Sequence, residues 1–384
     1  GIELRGDRQK LFLLSNDDKT FVYDAEKNKA ILLGNDQANA ELADLNPSGD
    51  KVAFVLENDL MLLEDVDAAP KALSTDGSDL VFNGKLDWVY QEELYGRSNF
   101  KAFWWSPDGQ SIAYLRTDES PVFSFTVTDH IPVRGRLEVT AYPKAGDPLP
   151  IVTLATYDLA AGSTTWAQLP AQTDEPLNET LISRVTWEPN SNSLMVQLQN
   201  RIQSWLDVCR VNVKSGELNV LYRDETEAWT KTPGDPHFLK DGSFLWLSPR
   251  SGYNAIYRHS PEGVELAKLT NENWEVRELL GCDESKGYVY FSGSPETPTR
   301  VVPMRVKLDG TEMTRLVNMP GTFAVKFNKG LNWFLAEHST VNSQEEILLF
   351  EADGKMVRNI IPNRDDRLRH LATAPPEFVQ IPIG

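Results

Sequence analysis

One pattern recurs along the whole chain and limits the folds that it can adopt. A short apolar strand follows a turn built from Pro, Asn, Asp and Gly, and a second strand, another turn and a closing Leu or Val come after it. The turn Pro107-Asp108-Gly109 with the strand Ile112–Leu115 is a clear example. We count seven copies, at residues 9–33, 45–73, 105–115 with 151–169, 187–222, 238–269, 279–293 with 300–317, and 323–360.

The spacing of the copies indicates the architecture. The equivalent turn residues Pro189, Asp241, Asp283 and Asn328 are separated by 52, 42 and 45 residues. A period of roughly 40–50 residues with about four short strands is typical of propeller blades. A sandwich or a set of small β domains would not need the same unit seven times. The sequence therefore predicts an all-β fold, a β-propeller with seven recognisable blades that occupies residues 1–384.

Two segments break this regular spacing. The copies at Pro47 and Pro107 are 60 residues apart, and those at Pro107 and Pro189 are 82 residues apart. The excess lies in Leu80–Arg97 and in Phe123–Pro150. Insertions into a repeat usually lie on one face and often carry the function. We therefore expect both insertions, which flank one blade, to be functionally important.

The first insertion contains a short stretch with helical periodicity, Leu86–Arg97, with the sequence LDWVYQEELYGR. Asp87 can accept bonds from the free N–H groups of a first turn, and Gly96 can end the helix. An apolar stripe at i, i+4 spacing predicts one buried side. That stripe consists of Leu86, Tyr90 and Leu94.

Two acidic residues of this helix are candidates for binding. The helical periodicity places Glu92 opposite the buried stripe and Glu93 on its flank. Adjacent carboxylates raise each other's pKa because their negative charges repel, and a cation between them removes that repulsion. The sequence therefore suggests a pair that binds an ammonium group. The alternative is a solvated pair of surface charges, because most Glu residues are exposed.

Composition and missing motifs exclude several functions. The net charge of −18 and the pI near 4.8 disfavour nucleic acid and anionic lipid as partners. No apolar run is long enough for a membrane-spanning helix. The chain has no G-x-S-x-G, Walker or H-E-x-x-H motif. It has only two cysteines, Cys209 and Cys282, and we expect these to be free thiols and not a single disulfide bridge. We therefore expect no catalytic residues, no metal and no cofactor in this chain.

The helical stretch also carries a family resemblance. DWVYQEELYGR followed directly by FWWSPDGQSIAYLRTDES resembles the propeller of the dipeptidyl peptidase IV family, in the prolyl oligopeptidase clan. The likeness continues through AYPKAGDPLPIVTLATYDL at 141–159, LQNRIQSWLDVCRVN at 198–212 and later blade motifs, so that it covers the chain from about Leu45 onward. In that family an eight-bladed propeller covers an α/β-hydrolase domain that supplies the serine, aspartate and histidine of the triad.

The resemblance implies a role for the two acidic residues. In the family, two glutamates of this segment hold the free α-ammonium of the substrate, and position for position that role falls on Glu92 and Glu93. The implied function is that of the substrate-gating propeller of a serine exopeptidase, which releases N-terminal dipeptides of the X-Pro or X-Ala type. The implied partners are a peptide with a free N-terminus, a C-terminal α/β-hydrolase domain of the same protein, and a second copy in a homodimer. A periplasmic, cell-surface or secreted location is also implied.

Some features remain open at this stage. The chain begins at Gly-Ile-Glu and stops where the family passes into its hydrolase domain, which predicts an excised or processed propeller whose first blade is incomplete or missing. The family's arginine for the substrate carbonyl is absent from Gly34 to Asp44, so Arg97, Arg134 and Arg136 are the candidates to replace it.

A stand-alone binding or scaffold module without peptidase activity is the alternative function, because a propeller fold does not fix function.

Overall fold

The computed structural model describes residues 9–16, 19–34, 38–170, 180–270, 273–362, 374 and 376–382. These residues are almost entirely β-strand and turn. The chain divides into two compact units, Gly1–Thr232 and Pro233–Gly384.

The described part of the first unit contains eighteen strands. They are β1 Leu11–Asn16, β2 Lys19–Asp24, β3 Lys29–Leu33, β4 Glu41–Leu45, β5 Val52–Leu56, β6 Asp59–Leu63, β7 Lys71–Ala72, β8 Val81–Asn83, β9 Phe103–Trp105, β10 Ser111–Asp118, β11 Ser124–Asp129, β12 Arg136–Ala141, β13 Ile151–Asp158, β14 Ser163–Trp166, β15 Thr180–Trp187, β16 Ser193–Asn200, β17 Trp205–Asn212 and β18 Leu218–Glu225. A helical turn lies between β8 and β9, with Tyr90–Leu94 in π-helical geometry.

The strands of the first unit pair with their neighbours in sequence. β1 to β3 form a three-stranded sheet, and β4 to β7 and β15 to β18 form four-stranded sheets, all antiparallel. The remaining sheet has the order β14-β13-β10-β8, with β9 also paired to β10. β11 and β12 form a separate two-stranded hairpin.

The described part of the second unit contains twelve strands in three antiparallel sheets of four. The sheets are β19–β22, β23–β26 and β27–β30, each in sequence order. The strands are β19 His237–Phe238, β20 Phe244–Ser248, β21 Ala255–His259, β22 Glu265–Lys268, β23 Val276–Asp283, β24 Tyr288–Gly293, β25 Val302–Lys307, β26 Thr314–Arg315, β27 Thr322–Phe327, β28 Trp333–Thr340, β29 Ser343–Glu351 and β30 Met356–Ile361.

Each predicted copy corresponds to one of these sheets. The predicted turns close the strands as expected: the N–H of Gly109 donates to the carbonyl of Ser106 at 2.8 Å, and that of Gly242 to the carbonyl of Leu239 at 3.0 Å. The repeat thus gives a meander of four short antiparallel strands, which is the topology of a propeller blade. The first sheet has three strands within the described residues.

The insertions differ from expectation in one respect. Val81–Asn83, inside the first insertion, pairs with Arg116–Asp118 and joins the sheet of the blade itself. The second insertion projects as the hairpin β11–β12, whose side chains are largely exposed. Both insertions are therefore attached to the blade built around β10.

The core of each unit lies between successive sheets. In the first unit, one cluster joins Ala53 of β5 to Ile112 of β10, and another joins Leu115 of β10 to Val196 of β16. In the second, Ile256, Val289 and Phe334 from three sheets share one cluster. Central strands are consequently buried on both faces, which explains near-continuous apolar runs such as Val52–Leu56.

Two further expectations concern the cysteines and membrane-spanning helices. Both cysteines are free thiols, with Cys209 buried and Cys282 half-buried, and burial raises the pKa of each to about 12. In the part of the chain that the structure describes, no helix combines the length and apolar character needed to cross a bilayer.

Candidate functional site

The helical insertion begins where the sequence predicts. The carboxylate of Asp87 accepts hydrogen bonds from the backbone N–H groups of Val89 and Tyr90, both at 3.0 Å. Gly96 follows the last helical turn with a φ of +103°, a conformation that favours glycine. Both predicted ends of the helix are confirmed.

The predicted apolar stripe is buried. Leu86 and Tyr90 are each 1% exposed and belong to the same cluster as Leu115 and Ile182, while Leu94 packs against that cluster. The hydroxyl of Tyr90 also accepts a hydrogen bond from the backbone N–H of Ile182 at 3.4 Å. The helix is therefore fixed between two neighbouring sheets of the first unit.

The geometry of the turn is π-helical, which the sequence did not indicate. The N–H of Tyr95 donates to the carbonyl of Tyr90 at 2.8 Å, an i to i+5 bond. Such π-turns are rare and occur frequently at functional sites. The wider turn changes the angular spacing of the side chains that follow Tyr90.

This spacing reverses the expected exposure of the two acidic residues. Glu92, expected opposite the buried stripe, is half-buried with 22% of its side chain exposed, and Glu93, expected on the flank, is exposed. Glu92 forms an ion pair with Arg97, with 3.1 Å between Oε1 and Nε. Among the described residues, Glu93 forms no hydrogen bond or ion pair through its carboxylate. One carboxylate thus already faces a cation, and the other is accessible to one.

The loop after the helix is held by its own side chains. The Oε1 atom of Gln91 accepts a hydrogen bond from the backbone N–H of Ser98 at 2.7 Å. Ser98 has a φ of +68°, which is uncommon for a residue other than glycine. The loop that carries Arg97 therefore turns back toward Glu92.

The two insertions touch each other. The ring of Trp88 in the helix lies 4.3 Å from that of Tyr142, which follows β12. Tyr142 in turn lies 5.8 Å from Phe125 of β11. The hairpin therefore supports the outer side of the helix, a contact between distant residues that the sequence did not predict.

The three candidate arginines lie in different surroundings. Arg97 is 83% exposed apart from its contact with Glu92. Arg134 and Arg136 are exposed on the hairpin β11–β12. Of these three, the structure brings only Arg97 to the acidic pair, and a role in binding the substrate carbonyl remains a prediction for each.

The described residues contain no group of side chains that indicates a metal site. No cluster of three or more His, Cys, Asp or Glu side chains with metal-binding geometry occurs among them. The sequence has five histidines, of which His370 lies outside the described residues.

A family model described as the dipeptidyl peptidase IV N-terminal region matches residues 2–345. The chain belongs to the dipeptidyl peptidase IV family. The predicted resemblance is confirmed, and it extends further toward the N-terminus than Leu45.

Individual relatives agree with this assignment. The chain is 30% identical over 372 residues to a protein of Emericella nidulans named "Probable dipeptidyl-aminopeptidase B", covering 86% of this chain and 40% of that protein. It is 28% identical to dipeptidyl peptidase 4 of Trichophyton tonsurans, covering 91% of this chain and 46% of the relative. The chain therefore spans less than half the length of these relatives.

A solved structure supports the fold. The crystal structure of Porphyromonas gingivalis dipeptidyl peptidase 4 matches with a TM-score of 0.82 and 25% identity, over 96% of this chain and 51% of that chain. Together with the blade topology of the sheets, this confirms the predicted all-β propeller fold class.

Proposed function

We propose that this chain is the substrate-gating propeller of a serine exopeptidase, in which Glu92 and Glu93 hold the free N-terminus of a peptide. The observation that carries the proposal is the arrangement of the two carboxylates. They lie on a capped helical turn that is packed into the core, and one of them already binds a guanidinium group at 3.1 Å. The relatives named as dipeptidyl peptidases support the same role.

The proposed chemistry follows from the charge of the peptide N-terminus and from the distance between that fixed N-terminus and the nucleophile. A peptide α-amine has a pKa of about 8 and is an ammonium group at neutral pH. Charge-assisted hydrogen bonds to two carboxylates would fix its position. A fixed N-terminus allows only two residues to reach a nucleophile, which makes the enzyme an exopeptidase that releases dipeptides. An X-Pro or X-Ala preference would arise at the nucleophile's own pocket.

The proposal assigns the triad to another domain. The chain contains no nucleophilic serine motif, so we propose a C-terminal α/β-hydrolase domain of the same protein as the catalytic partner. A stand-alone scaffold would lack that domain.

Product analysis tests the proposed function. We expect the full-length protein to release successive dipeptides from an unblocked peptide with proline at its second position, and to leave the N-acetylated peptide intact, because acetylation removes the ammonium charge. Mass spectrometry of the products is the measurement. Release of single residues, or equal cleavage of the blocked peptide, would contradict the proposal.

The ion pair between Arg97 and Glu92 gives a second prediction. The guanidinium would compete with the substrate ammonium for the Glu92 carboxylate. The competing ion pair is weak, because exposed ion pairs of this kind contribute little free energy. We expect Arg97→Ala to lower KM for a dipeptide substrate by about two- to five-fold at low ionic strength. Arg358→Ala, at an exposed position on β30, is the control. A raised KM for Arg97→Ala would show instead that Arg97 contacts the substrate.

A further inference from the structure

An aromatic contact holds the outer side of the helical insertion. The apolar stripe through Leu86 and Tyr90 covers only the inner side of the turn, which packs into the core. Trp88 lies between these two residues in the chain and is half-buried. Its ring centroid is 4.3 Å from that of Tyr142, and the two ring planes are inclined at 46°. Aromatic pairs at such separations are more stabilising than the area that they bury would suggest.

Tyr142 is itself fixed in place by the hairpin. Its backbone N–H donates to the carbonyl of Phe123 at 2.9 Å, which continues the pairing of β11 with β12. Its ring centroid lies 5.8 Å from that of Phe125, and the Nζ atom of Lys144 lies 5.4 Å from the centroid of the Phe125 ring. The Tyr142 ring is therefore held by the hairpin on the side away from the helix.

Both ends of the hairpin are anchored in the first unit. Asp118 at the end of β10 pairs with Ile151 at the start of β13. The N–H of Glu119 donates to the carbonyl of Leu80 at 2.8 Å. Leu149 packs against the core cluster that also buries the apolar stripe of the helix. The helical turn is thus held between the core on its inner side and an anchored hairpin on its outer side.

We propose that Tyr142 is a positioning residue for the acidic pair: its contact with Trp88 fixes the rotation of the helical turn about its axis, and with it the direction of Glu92 and Glu93. A turn of only a few residues that was held on one side alone could rotate. Glu93 has no side-chain partner among the described residues, so the backbone of the turn determines where its carboxylate lies. The effect on peptide binding rests on the proposed function, but the contact between the two rings does not.

The kinetic signature of this role is a raised KM with little change in kcat. Without the aromatic contact, the turn would adopt more than one orientation, and only a fraction of the molecules would present both carboxylates to an ammonium group. The apparent affinity falls in proportion to that fraction. Bound substrate restores the orientation, so the steps after binding keep their rate.

Steady-state kinetics of the full-length protein with a free-amine X-Pro substrate test the positioning role. We expect Tyr142→Ala to raise KM about three- to tenfold, while kcat stays within about twofold of the wild type. Tyr142→Phe keeps the ring and should match the wild type. Tyr253→Ala, at an exposed tyrosine of the second unit, is the matched control. An unchanged KM in Tyr142→Ala would overturn the proposal, and so would a lowered kcat at unchanged KM, which is the result of losing folded protein.

A double-mutant cycle on stability tests the contact independently of the function. The free energy of unfolding of the 384-residue chain is measured for Trp88→Leu, for Tyr142→Leu and for the double variant. We expect the double variant to lose less stability than the sum of the two single losses, because residues in contact are energetically coupled. Additive losses would overturn the proposal. Failure of the proposed function is distinguishable, because Glu93→Gln would then leave KM unchanged while the coupling in the cycle persisted.

Discussion

Replacing Glu93 by glutamine in the full-length protein should lower kcat/KM for an X-Pro substrate with a free amine by roughly 30- to 1000-fold. The variant keeps the shape of the side chain and removes its charge, so an ammonium group desolvated by binding loses an interaction of about 2–4 kcal/mol. Glu93 is exposed and has no ion-pair partner among the described residues, so the substitution should not destabilise the fold. Steady-state kinetics with a chromogenic dipeptide substrate provide the measurement.

Two further variants make this result specific. Glu92→Gln should also lower kcat/KM, but it releases Arg97 as well, so its effect combines two changes. Glu138→Gln, an exposed glutamate on β12, is the matched control and should behave like the wild type. If Glu93→Gln and Glu138→Gln have the same kinetics, the acidic pair does not anchor the substrate.

Replacing Asp87 by alanine should lower the free energy of unfolding by about 1–3 kcal/mol. The substitution leaves the N–H groups of Val89 and Tyr90 without an acceptor in a buried environment, and unsatisfied buried donors are costly. It should also lower kcat/KM, because the helix that carries Glu92 and Glu93 loses the bonds that fix its first turn. Denaturant unfolding of the 384-residue chain measures the change in stability.

Asp87→Asn separates capping from charge. Asn caps helices about as well as Asp, so this variant should stay within about 0.5 kcal/mol of the wild type. If Asp87→Ala were as stable as the wild type, the cap would not determine the start of the helix.

The sequence was sufficient for features that depend on neighbouring residues. The turns at Pro107-Asp108-Gly109 and Asp241-Gly242 mark blades because their residue types determine the local backbone. Asp87, Gly96 and the stripe through Tyr90 could be identified for the same reason. Each of these features uses residues within a few positions of one another.

Features that depend on distant contacts could not be predicted. The helical pattern of the sequence predicts α-helical spacing, and the π-turn at Tyr90 reverses the exposure expected from it for Glu92 and Glu93. Val81–Asn83 is too short to be recognised as a strand before its pairing with β10 is known. Glu119 lies in a polar segment typical of a surface turn, yet it is only 7% exposed in the structure, where its N–H donates to the carbonyl of the distant residue Leu80.

The central claim is tested most directly by a thermodynamic cycle. The wild type and the Glu92→Gln, Glu93→Gln double variant are each measured with the same peptide in free and N-acetylated form, with kcat/KM as the readout. If the two carboxylates hold the ammonium group, acetylation should lower kcat/KM of the wild type at least about tenfold more than that of the double variant, a coupling of about 1.4 kcal/mol or more. An equal loss in both proteins would contradict the account.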